Sequence, residues 1–280
     1  MISAQIKNLY QELTEREQRI ASYVLAEPEK VTHMTAKELA SECSTVPSAV
    51  IGFCKSIGVD GFSKFKILLS RDVGKTDSAE PLPAFDKDDD TQAVFSKVFN
   101  SGINTLSDTL RMLDFENIKE ITKKLFEAER IFIFGVGTSS VVAIDANYRF
   151  SQFGFHAYAY TDILFMNVMA VNMNPGDVAI GISHSGRTKV VVDAIRHAKK
   201  AGAGTIALCS FSGSPLCRES DYSISVYADE ENYPVEAVSA RVAHMCIIDA
   251  IMMTLATMKY DDFSEYITKR NQILSEIRYK

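Results

Sequence analysis

Within the stretch Ile180-Gly181-Ile182-Ser183-His184-Ser185-Gly186-Arg187-Thr188, three hydroxyl side chains and a glycine fall in six consecutive positions, 183–188. The run before them, residues 177–182, is apolar and β-branched, the pattern of a short buried strand. Val190, Val191, Ala194, Ile195 and Ala198 follow at helical spacing. The hydroxyls therefore stand between the C-terminal end of a strand and the first turn of a helix. In an α/β sheet that place binds anions, because unpaired backbone N–H groups and the positive end of the helix dipole converge there. Ser183, Ser185 and Thr188 add hydroxyl donors, and Gly186 lets the backbone close around the anion. Taken alone, such a stretch is more often a Ser/Gly turn that ends in a helix cap.

A second turn changes those odds. Ile131-Phe132-Ile133-Phe134 is an unbroken apolar strand, Gly135-Val136-Gly137-Thr138-Ser139-Ser140 closes it, and a helix carrying Val141, Val142, Ile144 and Ala146 comes next. The G-x-G could open a dinucleotide fingerprint. Ser140, however, takes the place of the third glycine, and no acidic residue ends a strand about 20 residues on, so that reading is set aside. Two hydroxyl-bearing turns at C-terminal strand ends open on the same edge of a parallel sheet and can face one ligand.

The elements that must position these turns are legible as an alternation. Strands at 131–134, 156–160, 177–182, 204–209 and 222–227 interleave with helices at 163–173, 188–201, 215–220 and 236–257. This predicts a three-layer α/β sandwich on a five-stranded parallel sheet. Helices at 91–112 and 115–128 precede it, and an amphipathic helix at 262–279 follows. Arg241 and Asp249, on the long helix 236–257, read as an internal ion pair, and His244 beside them as a core histidine.

Composition is that of an ordinary soluble globular chain, 46% apolar and 24% charged over 280 residues. Residues 1–15 are mixed and polar, unlike a signal peptide. The most apolar stretch, 242–258, is interrupted by His244, Asp249 and Thr254 and reads as a buried helix rather than a span. Five scattered cysteines without a C-x-x-C pair point to reduced core thiols in a cytoplasm, with no metal site and no cofactor.

The first 75 residues are all helical. Thr14 with Glu17, and Thr35 with Glu38, have capping-box spacing, and Pro47 stands where a helix can start. A helix carrying Ile20, Tyr23 and Val24 is expected to stop at Pro28. Short helices follow around 36–40, 47–56 and 62–69, compatible with a helix-turn-helix. Ten Lys/Arg against nine Asp/Glu in residues 1–75 leave this part slightly basic, while the whole chain carries −6. That asymmetry runs in the direction of nucleic-acid binding. Residues 76–90, with two prolines and acidic residues, read as a linker between a domain at 1–75 and one at 91–280.

Met34-Thr35-Ala36-Lys37-Glu38-Leu39-Ala40, with Phe53 and the run Ile57-Gly58-Val59-Asp60-Gly61-Phe62-Ser63-Lys64-Phe65-Lys66, resembles the helix-turn-helix domain of RpiR-type transcriptional regulators. The centre departs from that pattern. Val46, Ala49 and Gly52 stand where the family has Ser, Thr and Arg, residue types that bond phosphates and base edges. The DNA contacts that the resemblance implies here are Thr45, Ser48, Lys55, Lys64 and Lys66. Residues 110–260 resemble a SIS (sugar isomerase) domain through the G-x-G-x-S turn, Asp177, Ser183, Ser185, Gly186, Thr188, Pro215-Leu216, Glu236, Ser239, Arg241 and Asp249.

That second resemblance implies a phosphorylated sugar as effector. Ser183, Ser185 and Thr188, with Gly186 and the backbone of His184, would hold the phosphate. Gly137, Thr138, Ser139 and Ser140 would reach it or a sugar hydroxyl, and Glu236 would bond hydroxyls. The expected protein is a sugar-phosphate-responsive transcriptional regulator, a homodimer or homotetramer that binds DNA and no membrane, with no catalytic residue. The alternatives are a sugar-phosphate isomerase or etherase with Glu236 as base, and a sensor whose DNA-binding domain is degenerate.

Overall fold

Two threonines organise the first helices. α1 (Ile2–Leu9) leads towards Thr14, whose side chain accepts from Glu17 N–H while the Glu17 carboxylate accepts from Thr14 N–H at 3.0 Å; this capping box opens α2 (Glu15–Ala26). Pro28 blocks continuation of α2, but it does more than stop it. Its fixed φ suits a first helical position, and it starts α3 (Pro28–His33), a helix the sequence pattern did not suggest. Thr35 and Glu38 form the second capping box, at α4 (Ala36–Glu42). Pro47 opens α5 (Pro47–Ser56), and α6 spans Phe62–Val73. Ile6, Ile20, Val24, Leu39, Val50, Phe53, Ile57, Phe65 and Leu69 are fully enclosed and make one core. This computed structural model describes residues 2–10, 13–59, 61–73, 86, 88–228, 238–258 and 260–277.

The chain divides into two units, Met1–Lys97 and Val98–Lys280. Of the expected linker 76–90, residues 76–85 and Lys87 lie outside the described residues. Asp90 accepts from Ala93 N–H at 2.7 Å at the start of α7 (Thr91–Met112), the helix within which the division falls.

Glu17 does a second job in the helical unit. Its other carboxylate oxygen accepts from the Ser56 hydroxyl at 2.6 Å and so ties α2 to the C-terminal end of α5. Burial disfavours its charge, but the bonds from Ser56 and Thr14 outweigh burial and hold the carboxyl below the ordinary glutamate range.

The second unit is built on a parallel sheet. α8 (Phe115–Phe126) is capped by Asp114, which accepts from Glu116 N–H and Asn117 N–H. Then come β1 (Ile131–Phe134), α9 (Thr138–Gln152), β2 (Ala157–Tyr160), α10 (Ile163–Val171), β3 (Val178–Ser183), α11 (Lys189–Lys200), β4 (Gly204–Cys209), α12 (Pro215–Glu219), β5 (Tyr222–Ser225), α13 (Val238–Met258) and α14 (Tyr260–Glu276). All strand pairs are parallel, in the order β2-β1-β3-β4-β5. Burial on both faces is why β1 and β3 read as unbroken apolar runs. Ile121, Val142, Phe150, Ile248 and Leu255 of α8, α9 and α13 cover one face; Met166, Val191, Ile195, Ala198 and Leu216 of α10, α11 and α12 cover the other. α13 is long and apolar enough to cross a membrane, but half of its most apolar window is buried within its own unit.

Two expectations need correction. α9 begins at Thr138, so 138–140 form its first turn rather than a loop ahead of it. Asp249 pairs with Arg149 of α9 at 3.3 Å, not with Arg241. Eight residues along one helix separate the two α-carbons by about 12 Å, beyond side-chain pairing range.

Asp177, just ahead of β3, is fully buried and anchors the sheet. Its carboxylate accepts from Arg130 Nε at 2.8 Å and Nη2 at 2.6 Å, and from Asn174 N–H at 2.7 Å. Asp177→Ala is expected to cost about 3 kcal/mol, since the arginine fork and a backbone donor lose their acceptor together; chemical denaturation measures it. Glu17→Ala, by removing both the cap and the Ser56 bond, is expected to cost about 1–2 kcal/mol. The carboxyl is depressed in the folded state, so this contribution is complete above the unfolded glutamate value of about 4.3 and disappears as pH falls through the lower folded value. Thermal unfolding of wild type and Glu17→Ala should therefore converge in acid.

Candidate functional site

β1 and β3 are hydrogen-bonded neighbours, with Phe134 opposite Gly181. After β1 the chain crosses to β2 on one side, and after β3 to β4 on the other. The strand order reverses between them, and a parallel sheet opens a crevice at the carboxyl ends of its strands at such a point. The two turns singled out from the sequence both lie at this edge.

In the β3 turn the hydroxyls divide their work. Ser183 is buried. Its Oγ accepts from Gly186 N–H at 3.1 Å and lies 2.9 Å from Thr188 Oγ1, so it shapes the turn from inside. Ser185 is half-buried, and its Oγ accepts from Arg187 N–H at 3.2 Å. Thr188, also half-buried, is the N-cap residue of α11. Val191 and Val192 N–H donate to Thr188 O at 3.0 and 3.1 Å, and the positive end of the α11 dipole points to this edge. Gly186 has φ +63°, and a Cβ there would collide with the Ser214 side chain, so only glycine fits. His184 is turned to the next strand: Nδ1 is 2.9 Å from Ser210 Oγ, and its ring packs edge-on against Phe211.

In the β1 turn Gly137, at φ +58°, precedes α9 as its N-cap. A Cβ on Gly135 would stand 2.8 Å from the Ser139 carbonyl oxygen, so this glycine sets how tightly the helix folds back on the strand. Ser140 Oγ donates to Gly137 O at 2.6 Å. Thr138 is exposed at the edge and Ser139 is buried beneath it. The structure thus places Gly137, Thr138, Ser139 and Ser140 after the end of β1, and Ser183, His184, Ser185, Gly186 and Thr188 at and after the end of its neighbour β3. Glu236 lies outside the described residues.

A third loop joins this edge, and the sequence reading passed over it. After β4, Ser210 N–H donates to His184 O at 3.0 Å, Leu216 N–H donates to Gly186 O at 3.0 Å, and Ser214 caps α12. The serine-rich composition of 210–214 at the end of a third parallel strand was the available signal. Behind it, His244 of α13 is buried. Enclosure, with His184 nearby adding repulsion, pushes its pKa down to about 3, so it is neutral at physiological pH. It is a core histidine as expected, though its Nε2 has no hydrogen-bond partner among the described residues.

The helical unit offers a different surface. Ser48, Lys55 and Lys64 are exposed, and Lys66 lies with its ammonium 5.8 Å from the centre of the Phe62 ring. Thr45 differs: its Oγ1 is enclosed and has no hydrogen-bond partner among the described residues, so it does not present its hydroxyl outward. The outer face of α5 is apolar for a recognition helix, with Val46 52% and Ile51 37% exposed.

A helix-turn-helix unit joined to a parallel α/β unit with hydroxyl turns at its switch point is the architecture of a two-domain regulator class. Residues 1–76 match the helix-turn-helix domain of the rpiR family, and residues 124–254 match the SIS domain. Over 274 residues the chain is 34% identical to an uncharacterised HTH-type transcriptional regulator of Caldanaerobacter subterraneus, covering 98% of this chain and 97% of that one. It is 27% identical to the HTH-type transcriptional regulator HexR of Pseudomonas aeruginosa, covering 98% and 96%. The Vibrio vulnificus NanR protein, complexed with ManNAc-6P, shares the fold across the whole of both chains, with a TM-score of 0.64 at 21% identity. The chain belongs to the rpiR family of HTH-type transcriptional regulators. The full-length relatives it matches are named as transcriptional regulators.

The geometry at Gly186 makes a direct prediction. Gly186→Ala is expected to destabilise the α/β unit by about 2 kcal/mol or more, through left-handed strain and the Ser214 clash together. Gly186→Ala combined with Ser214→Gly, which removes both clashing atoms, should recover part of that loss in denaturant titrations.

Proposed function

We propose that the protein is a transcriptional regulator that binds DNA through its N-terminal unit and responds to a phosphorylated sugar held at the switch point of its SIS sheet. The observation that carries this reading is that two hydroxyl turns follow the ends of neighbouring parallel strands, one of them leading into α11. A phosphate there would take backbone N–H groups of the 183–188 turn and the Ser185 and Thr188 hydroxyls, with Ser183 holding the turn in shape. Thr138 and Ser139 would meet the phosphate or a sugar hydroxyl. A phosphate and an uncharged polyol suit a site built from hydroxyls and amides rather than acidic groups.

On the DNA side, Lys55, Lys64 and Lys66 would neutralise backbone phosphates, while Ser48 and the apolar face of α5 would meet base edges, thymine methyls included. A homodimer or homotetramer would set two such helices on half-sites one helical turn apart. Effector binding would bias their arrangement through unequal affinity for two states. Such a protein would work in the cytoplasm, where both its DNA and phosphorylated sugars are found.

A gel shift with the chain's own upstream DNA, with and without a panel of sugar phosphates, tests the whole reading; absence of a shift at low salt would refute DNA binding. Lys55→Ala is expected to weaken binding across sequences and to reduce the slope of log affinity against log salt by about 1. In calorimetry with the sugar phosphate that alters the shift, Ser185→Ala and Thr188→Ala should each weaken affinity by roughly tenfold without unfolding the protein. Unchanged affinity would remove the phosphate from this turn.

A further inference from the structure

Two cysteines that the sequence scatters come together behind the β3 turn. Cys209 ends β4, where it is the register partner of Ser183, and Cys217 lies on α12. Their sulfurs are 3.1 Å apart. The Phe211 carbonyl oxygen lies 3.3 Å from Cys209 Sγ and 3.5 Å from Cys217 Sγ, and Ser214 Oγ stands 3.6 Å from Cys209 Sγ. Cys209 is buried and Cys217 half-buried, so Cys217 is the member of the pair nearer to solvent. The contact between the thiols separates their acidities. As the donor, the Cys209 thiol is held well above its ordinary value, with burial adding to the effect. The bond from Cys209 pulls Cys217 down against burial, and nearby serine hydroxyls help. Cys217 is thus the thiol that ionises first, and the thiolate is the nucleophile.

We propose that Cys209 and Cys217 are an oxidation site, converted by a hydroperoxide into an intramolecular disulfide that alters the β3 turn. The Cys217 thiolate attacks the O–O bond. An S–O bond forms, the O–O bond breaks, and the departing oxygen takes a proton to leave as water or an alcohol. Cys209 sulfur then attacks the resulting Cys217 sulfenic acid. The S–S bond forms, the S–O bond breaks, and hydroxide leaves with the Cys209 proton as water. Two thiols lose two electrons, and one hydroperoxide gains them.

A disulfide spans about 2 Å, so the sulfurs must close by roughly 1 Å. Ser214 stands in the way of a silent closure. It contacts Cys209, accepts from Cys217 N–H at 3.4 Å, and is the side chain that packs on Gly186. Leu216 N–H, one residue before Cys217, donates to Gly186 O. Movement of the pair therefore reaches the turn. That this would change effector response rests on the phosphate reading above; the crosslink and the shift of the turn do not.

The test treats the reduced full-length protein with hydrogen peroxide, then digests it with trypsin. Residues 201–218 form one tryptic peptide that holds both cysteines. The expected product is this peptide lighter by two hydrogens and resistant to alkylation until reduced. Cys209→Ser and Cys217→Ser should each abolish it, and the exposed Cys246 should alkylate normally in the same sample. Two alkylated thiols in the peptide, or sulfinic acid on Cys217 without a crosslink, would overturn the proposal. Hydrogen exchange on the oxidised and reduced forms reads the coupling. Altered protection of the Gly186 and Leu216 amides is expected, and identical exchange there would overturn the coupling to the turn. Neither readout uses a sugar phosphate, so an unresponsive effector site would not be mistaken for an unreactive dithiol.

Discussion

The backbone of Gly186 lies directly against the side chain of Ser214 in a conformation closed to other residues. That approach joins the ends of β3 and β4. It lets the Gly186 carbonyl receive Leu216 N–H, brings Ser183 Oγ under Gly186 N–H, and so defines where α11 and α12 begin. Without it the Ser185 and Thr188 hydroxyls would have no common orientation, because each is held only through its neighbours in this turn. The parallel sheet supplies the rest: by reversing strand order between β1 and β3, it leaves a gap between crossovers at the edge where these groups gather.

The helical unit follows a different logic. Its helix starts rest on local signals reinforced by long-range bonds, with Glu17 serving a helix cap and the Ser56 hydroxyl at once. A Cβ on Gly52 would lie 3.9 Å from that same Glu17 carboxylate. A position that carries arginine in the family's pattern thus sits beside an acid in this protein, and the glycine leaves that carboxylate to Ser56. The outer face of α5 keeps its exposed lysine but presents Val46 and Ile51. Recognition through such a face shifts weight from hydrogen bonds to apolar contact and backbone charge.

The family assignment and these local departures are compatible. Full-length similarity to HTH-type regulators specifies the two-unit architecture. In the proposed function, effector and operator contacts fall on a few side chains at the edges of that architecture, at 138–140, 183–188 and 46–55, apart from the cores of the two units.

Much of this was legible from residue order alone. Capping boxes at Thr14 and Thr35, the helix start at Pro47, the unbroken apolar strands and the hydroxyl turns depend on neighbours within a few positions, and short-range periodicity and turn chemistry encode those directly. α3 was missed because proline both ends one helix and starts another, and spacing does not distinguish the two. What only the tertiary structure decided involves residues far apart in the chain: Arg130 forking onto Asp177, Asp249 finding Arg149 instead of Arg241, the 210–214 loop closing over His184 and Gly186, and the two cysteine sulfurs meeting across α12. These contacts arise from strand order and crossover geometry, which a linear pattern does not carry. The sequence by itself determined, α3 excepted, which segments would be strands and helices and which turns were rich in donors; the packed sheet determined which of those donors are consumed in holding the turn together.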